Sequence, residues 1–268
     1  MVSFPFCKIN LGLQVLSMRS DGFHNIETCF YPVPWHDVLE VIYSEKFSFT
    51  RSGISIPDDD MGNLCVRAYN KLKDAYDIPP IKMHLHKIIP MGAGLGGGSA
   101  DAAFTLKSLN TLFSLELPVH KLHEIAAELG SDCSFFLQDH PMMGSGRGEV
   151  LKPIDVSLSG MFIVIVKPDV HVSTQEAYKG VIPDQSRAPL NNILLGDIEA
   201  WKDMLHNDFE ASIFNKYPQI EKVKKELYNA GARYASMSGS GSSVYGLFDK
   251  PVVLKDQFEG AIYWSGNL

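Results

Sequence analysis

The first third of the chain carries short segments rich in alternating apolar and β-branched positions, separated by clusters of Gly, Pro and Asp. A period of two is typical of β-strands, and such clusters are typical of the turns between strands. The pattern therefore predicts four strands, over residues 7–16, 37–43, 47–51 and 81–89.

The middle of the chain changes to apolar positions spaced three and four residues apart, which is the spacing of a helix with one buried face. This spacing predicts a helix over residues 63–75, a second helix that starts near Ser99, and a third over residues 120–129. Gly130 ends the third helix, since glycine readily adopts the conformation that terminates a helix.

The second half alternates predicted helices with predicted strands. The helices cover residues 191–205 and 219–230, and the strands cover residues 161–166, 234–237 and 244–248. Strands followed by a helical pair predict an α+β protein. A shift in composition predicts a boundary near residue 155, between domains 1–155 and 156–268.

Composition and charge argue against several classes of protein. The chain has 268 residues, of which 45% are hydrophobic and 21% charged, which is the profile of a globular protein rather than a disordered chain or a coiled coil. The 31 acidic and 24 basic side chains leave a net charge of −7, which argues against a nucleic-acid binder.

The sequence also argues against a membrane or secreted protein. The longest apolar run, residues 161–166, is too short to span a bilayer, and the N-terminus lacks a basic segment followed by an apolar one. The four cysteines contain no C-x-x-C pair, so we expect reduced thiols rather than disulfides or metal ligands. We therefore expect a cytoplasmic protein without a membrane or nucleic-acid partner.

The most informative segment is a glycine-rich run with five glycines at positions 92–98. Glycine allows backbone conformations closed to other residues, so several N–H groups can point into one concavity. The helix that starts near Ser99 adds unsatisfied N–H groups and the positive end of its dipole. Because a plain turn needs only one or two glycines, the run predicts an anion site, with phosphate as the obvious anion.

Two well-known kinds of phosphate loop can be compared with this run. A P-loop is excluded, because no lysine precedes Ser99. The pattern Gly92-x-Gly94-x-x-Gly97 satisfies the dinucleotide fingerprint, but residues 111–117 are a poor candidate for the next buried strand. That fingerprint also leaves a second glycine and serine loop, residues 236–243, unexplained. Two such loops predict two walls of one phosphate-handling cleft.

Residues 90–99, Pro-Met-Gly-Ala-Gly-Leu-Gly-Gly-Gly-Ser, resemble the second motif of the GHMP kinases, the small-molecule kinases of the galactokinase, homoserine and mevalonate type. Other hallmarks of this family follow in order across nearly the whole chain. They are Lys8-Ile-Asn10-Leu11, Asp21-Gly-Phe-His24, Asn63-Leu64 with Arg67-Ala68, Leu129-Gly-Ser-Asp132, Gly146-Arg-Gly-Glu149, Glu176-Ala-Tyr178, Asn207-Asp-Phe-Glu210 and Met237-Ser-Gly-Ser-Gly241.

The resemblance implies a two-domain GHMP kinase fold, with an N-terminal domain like the second domain of ribosomal protein S5 and a C-terminal GHMP kinase domain. It implies ATP and Mg²⁺ as cofactors, and a monomer or homodimer. Within the family it points to phosphorylation of the 2-hydroxyl of 4-diphosphocytidyl-2-C-methyl-D-erythritol, a step of non-mevalonate isoprenoid biosynthesis. Homoserine or mevalonate kinase, or a nucleotide-binding module without catalysis, remain the alternatives.

The resemblance also implies roles for particular residues. Asp132 is the candidate general base, although its position after a helix end also suits an N-cap. Lys8 is the second catalytic candidate, either by pairing with Asp132 or by stabilising the transferring group. Asn10, Phe23 and His24 are the substrate candidates, and Phe23 stands where the family usually has tyrosine.

The nucleotide candidates form a larger set. Ser99 is expected to bind Mg²⁺ through its hydroxyl, with capping of the following helix as the plainer alternative. Asn63 and Lys87 are expected on the adenine and ribose side. The residues expected to bind ATP are Asn63, Lys87, Pro90, Met91, Gly92, Ala93, Gly94, Leu95, Gly96, Gly97, Gly98, Ser99 and Ala100.

Overall fold

The fold is built from twelve strands and eight α-helices within residues 1–55 and 62–268, the part of the chain that the computed structural model describes. The strands are β1 (Val2–Ser3), β2 (Phe6–Met18), β3 (His24–His36), β4 (Val38–Tyr43), β5 (Ser48–Gly53), β6 (Ile81–Lys87), β7 (Met142–Ser145), β8 (Val150–Pro153), β9 (Phe162–Lys167), β10 (Tyr234–Met237), β11 (Val244–Phe248) and β12 (Ile262–Asn267). The helices are α1 (Leu64–Tyr76), α2 (Gly97–Leu112), α3 (Val119–Leu129), α4 (Thr174–Lys179), α5 (Leu190–Leu194), α6 (Trp201–Met204), α7 (Glu210–Lys216) and α8 (Pro218–Asn229).

The first of two compact units comprises residues 1–7, 35–91 and 96–139. Its sheet has the order β1-β4-β6-β5, in which β5 runs parallel to β6 and the other neighbours are antiparallel. Side chains of α1, α2 and α3 pack with the inner face of this sheet in one apolar core. Along β6 every second side chain is buried, and this alternation carries Lys87 inward with the apolar residues.

The second unit comprises residues 8–34, 92–95 and 140–268. It contains the sheets β2-β3-β7-β8 and β10-β11-β9-β12, and the second of these is antiparallel throughout. The central strands β9 and β11 are almost entirely buried, and residues of α7 and α8 belong to the same core. Buried on both faces, such strands have continuous apolar runs rather than alternation.

The strands and long helices predicted from periodicity are largely confirmed, but the helix predicted over residues 191–205 is wrong. The structure has α5, a 3₁₀ turn and the short α6 there. Gly196 follows the end of α5. The Asp197 carboxylate then accepts the N–H of Glu199 and caps the 3₁₀ turn, so the helix is interrupted between α5 and α6. The sequence patterns also missed β3, because Pro32 and Pro34 lie within it.

The two units interleave along the sequence, since most of β2 and β3 belongs to the second unit. The division into domains 1–155 and 156–268 stays a prediction. All four cysteines are buried, and none forms a disulfide. In the described ranges, none of the helices is long and apolar enough to cross a membrane.

Candidate active site

The glycine-rich run forms an irregular loop between β6 and α2. Gly92, Gly94 and Gly96 adopt left-handed φ values of +59°, +78° and +71°. Residues with a Cβ rarely adopt such values, so three of the five glycines are required by the backbone itself. Gly96 is also the N-cap of α2, and no side chain of the described residues caps that end. The first N–H groups of α2 are therefore suited to bind an anion.

In the second unit, residues 92–95 of this loop contact the second glycine and serine loop. The Ser238 hydroxyl donates to the carbonyl of Gly94 at 2.8 Å, and the Ser243 N–H donates to the carbonyl of Ala93 at 3.2 Å. A Cβ placed on Gly94 would lie 1.9 Å from the Ser238 carbonyl oxygen. The approach of the two backbones therefore requires glycine at position 94.

Gly94→Ala is expected to displace this loop and to raise the Kd for ATP about 10-fold or more, since one or two lost contacts to phosphate are worth about 1–3 kcal/mol. The matched control is Gly260→Ala. Gly260 has a φ of +79°, but a Cβ there meets no atom within 4 Å. Both variants carry the left-handed strain of about 1–2 kcal/mol, and only Gly94→Ala adds the clash. Calorimetric ATP titration checks this, and equal affinities in the two variants would contradict it.

Lys8 and Asn10 lie side by side on β2, at 3% and 2% exposure. The Lys8 ammonium donates to Asn10 Oδ1 at 2.5 Å and to the Gly94 carbonyl at 3.0 Å. Asn10 Nδ2 donates in turn to the Thr28 hydroxyl at 2.9 Å. In the second unit, the structure thus brings together a predicted catalytic residue, a predicted substrate residue and Gly94 of the glycine-rich loop.

In the first unit, Ser99 lies beside the turn that carries Asp132. The Ser99 hydroxyl is 3.9 Å from the position that a Cβ on Gly130 would occupy. Burial raises the pKa of the Cys133 thiol to about 11; the Ser99 hydroxyl opposes this rise, Asp132 adds to it and the Arg67 cation opposes it. The turn therefore carries a half-buried carboxylate with the Ser99 hydroxyl beside it, and the charge of Arg67, a residue to which sequence analysis assigned no role, acts on the Cys133 thiol.

The two residues expected on the nucleotide side have evident local partners. Asn63 is the N-cap of α1, and its side-chain oxygen accepts the N–H of Cys65 at 2.9 Å. The Lys87 ammonium is buried and donates to the carboxylates of Asp37 and Asp101. Asp37 has no sequence signal of its own, because it lies alone between two strands. Direct contact of Asn63 with a nucleotide stays a prediction, whereas the two carboxylates already occupy the ammonium of Lys87, which argues against the direct contact expected from the sequence.

The predicted substrate residues differ in their surroundings. Phe23 is 53% exposed, and its ring lies 5.0 Å from the guanidinium carbon of Arg147. The His24 imidazole stacks on Tyr178 with ring centroids 4.8 Å apart and planes at 17°. Tyr178 belongs to one of the family-like motifs, but sequence analysis gave it no role. A flat ring pair next to an exposed aromatic side chain is suited to binding a planar base.

Similarity to known proteins identifies the family of this chain. A sequence profile described as GHMP kinases N terminal domain matches residues 63–142, and one described as GHMP kinases C terminal matches residues 190–258. A protein of Cytophaga hutchinsonii named 4-diphosphocytidyl-2-C-methyl-D-erythritol kinase is 50% identical over 250 residues, 93% of each chain. A protein of the same name from Parabacteroides distasonis is 48% identical over the whole of both chains.

Solved structures are similar over nearly the full length. A crystal structure of 4-(cytidine 5'-diphospho)-2C-methyl-D-erythritol kinase has a TM-score of 0.81 and 31% identity, covering 99% of this chain and 98% of that one. A homoserine kinase from Cytophaga hutchinsonii has a TM-score of 0.68 at 18% identity, covers 98% of this chain and 95% of that one, and shows the fold alone. The predicted α+β GHMP kinase fold is confirmed, and the chain belongs to the GHMP kinase family.

Proposed function

We propose that this chain transfers the γ-phosphoryl group of ATP to the 2-hydroxyl of 4-diphosphocytidyl-2-C-methyl-D-erythritol. The observation that carries the proposal is the identity of 48–50%, over 93–100% of this chain, to proteins that bear the name of this kinase. The product is a precursor in non-mevalonate isoprenoid biosynthesis. In this proposal the enzyme acts in the cytoplasm, as a monomer or homodimer, and its four buried thiols suit a reducing compartment.

The reaction forms a bond between the substrate oxygen and the γ-phosphorus, and it breaks the bond from that phosphorus to the β-γ bridging oxygen of ATP. We assign the hydroxyl proton to the carboxylate of Asp132, which acts as general base. We assign to the Lys8 ammonium the stabilisation of negative charge on the transferring group. ADP leaves with the electron pair of the broken bond.

ATP is bound, in this proposal, by the glycine-rich loop and the first N–H groups of α2. Mg²⁺ takes one or two protein oxygens together with phosphate oxygens and water. The Ser99 hydroxyl fits this requirement, because it lies in the first turn of α2 beside the turn of Asp132. Mg²⁺ neutralises phosphate charge when it is bound there.

The cytidine base is assigned to Phe23 and His24, with Tyr178 fixing the plane of the imidazole by stacking. His24→Ala is expected to raise the KM for the cytidyl substrate about 10-fold or more, since one or two lost hydrogen bonds are worth about 1–3 kcal/mol. The KM for ATP should stay unchanged, because the glycine-rich loop is untouched. His120→Ala, an exposed histidine at the start of α3, is the control.

Steady-state kinetics with each substrate varied in turn check this assignment. Cytidine nucleotides should compete with the sugar substrate and not with ATP. Unaltered kinetics of His24→Ala toward the cytidyl substrate would remove the residue-level argument for a cytidine base.

A substrate panel tests the function as a whole. ATP consumption is compared with 4-diphosphocytidyl-2-C-methyl-D-erythritol, homoserine and mevalonate as acceptors. Turnover with the cytidyl compound alone is expected. Turnover with homoserine or mevalonate would assign the chain to another kinase of the family, and ATP binding without any turnover would favour a binding module.

A further inference from the structure

A buried cluster of three charged side chains lies beneath the start of α2. The Lys87 ammonium donates to Asp101 Oδ2 at 2.7 Å and also to Asp37 Oδ2, and all three side chains are at most 3% exposed. Isolated buried charges are costly, so such a cluster persists only where each charge is paired and hydrogen-bonded. Burial opposes the charge on Lys87, but Asp101 and Asp37 outweigh it and raise the pKa of the ammonium.

Asp37 fixes the backbone where the glycine-rich loop begins. Its Oδ1 accepts the N–H of Ile88 at 2.6 Å and the N–H of Ile89 at 2.8 Å, directly before Pro90. Asp37 Oδ2 accepts Lys87 on the same strand end. One carboxylate therefore holds three consecutive residues that lead into the loop.

Lys87 connects this entry point to the place where the loop ends. Its second acceptor, Asp101, is the fifth residue of α2. A Cβ on Gly97 would lie 2.9 Å from both Lys87 Nζ and Ile89 Cγ2, so the first residue of α2 packs directly against the cluster. The residues before the loop and the first residue after it therefore contact the same pair of ion pairs.

We infer that Asp37, Lys87 and Asp101 are positioning residues for phosphate binding, and that Lys87 does not itself contact the nucleotide. The N–H groups of the loop and of α2 can act on phosphate only if both ends of the loop are held in place. The Lys87 side chain is fully buried and its ammonium donates to both carboxylates, so the ammonium has no exposed surface for a ligand to contact. This inference rests on the proposed function for the identity of the phosphate donor.

Lys87→Met tests the inference, because it should weaken binding of the phosphates of the nucleotide and leave binding of its base and ribose unchanged. Two probes are used, inorganic tripolyphosphate for the phosphate contacts and adenosine for the base and ribose contacts. The Kd for tripolyphosphate is expected to rise about 10-fold or more, while the Kd for adenosine stays within about twofold. The control is Lys82→Met on the same strand, where the side chain is exposed and both constants should stay unchanged.

The reverse result would overturn the inference. If Lys87→Met weakened adenosine and left tripolyphosphate unchanged, Lys87 would be a base or ribose ligand. Equal weakening of both probes would also overturn the inference, because it would show an effect on the whole nucleotide site rather than on the phosphate contacts of the loop.

A second variant keeps the test decisive if two unpaired carboxylates prevent Lys87→Met from folding. Asp37→Asn conserves volume, retains one oxygen for Ile88 and Ile89, and turns an amide toward the ammonium. It should show the same selective loss of tripolyphosphate affinity, with an unchanged near-ultraviolet circular dichroism spectrum. Tripolyphosphate affinity equal to that of the native protein would overturn the inference.

These binding assays contain no acceptor, so they are independent of the proposed reaction. Failure of the native protein to phosphorylate the cytidyl substrate would reject the proposed function. A selective loss of tripolyphosphate affinity in the same preparation would still support the positioning role.

Discussion

Replacing Asp132 with asparagine is expected to lower kcat about 100-fold or more, while the KM for ATP stays within about twofold. An amide cannot accept the proton of the substrate hydroxyl, so the loss falls on the chemical step. Asp132 lies half-buried in the turn after α3, and the residue next to it contacts Ser99 at the start of α2. Asparagine has nearly the same shape and preserves that turn.

The control for this variant is Glu128→Gln on the last turn of α3. Glu128 forms a surface ion pair with Lys71, and its side chain is 66% exposed. Exposed pairs of this kind contribute about 0–1 kcal/mol, so the control should keep normal turnover and stability. Steady-state kinetics and single-turnover measurements on both variants decide the matter. Near-normal turnover of Asp132→Asn would exclude Asp132 as the base.

Lys8→Met is expected to lower kcat about 100-fold, because one lost donor to transition-state charge is worth about 2.7–4 kcal/mol. The KM for ATP should change much less. The Gly94 carbonyl accepts from Lys8 and also from the Ser238 hydroxyl, so the loop keeps one of its two donors in the variant. Methionine replaces the aliphatic part of the buried lysine, so the change is concentrated at the ammonium.

Lys152→Met on β8 serves as the control, since that lysine is exposed in the same unit. Steady-state kinetics at varied concentrations of ATP and of the acceptor separate the effect on kcat from the effect on the KM for ATP. If the KM for ATP rose and kcat stayed normal, Lys8 would be a ground-state phosphate ligand, and stabilisation of the transition state would have to be assigned to another group.

The glycine-rich loop shows how far sequence reasoning extends for this protein. Five glycines within seven positions, followed by a helix start, predicted a loop that places N–H groups around an anion. The left-handed conformations of Gly92, Gly94 and Gly96 agree with that prediction. The irregular loop backbone could be predicted because the conformational freedom of glycine is a local property, independent of distant residues; binding of an anion there stays a prediction.

The partners of the charged side chains could not be predicted in the same way. The alternation of β6 places Lys87 on the buried face, but nothing in the sequence indicates Asp37, which is 50 residues away. The stacking of His24 on Tyr178 likewise joins residues far apart in the chain. Contacts of this kind depend on strand pairing and helix packing, which local patterns do not encode.

The sequence by itself determined the α+β class, the helix and strand periods of the longer elements, the irregular backbone of the glycine-rich loop and the resemblance to the GHMP kinases. The tertiary structure decided which side chains are enclosed: Lys8 against Asn10 and Gly94, and Lys87 between two carboxylates. The physical reason is that backbone freedom and periodicity are local, whereas the partner of a buried charge is set by which elements pack together.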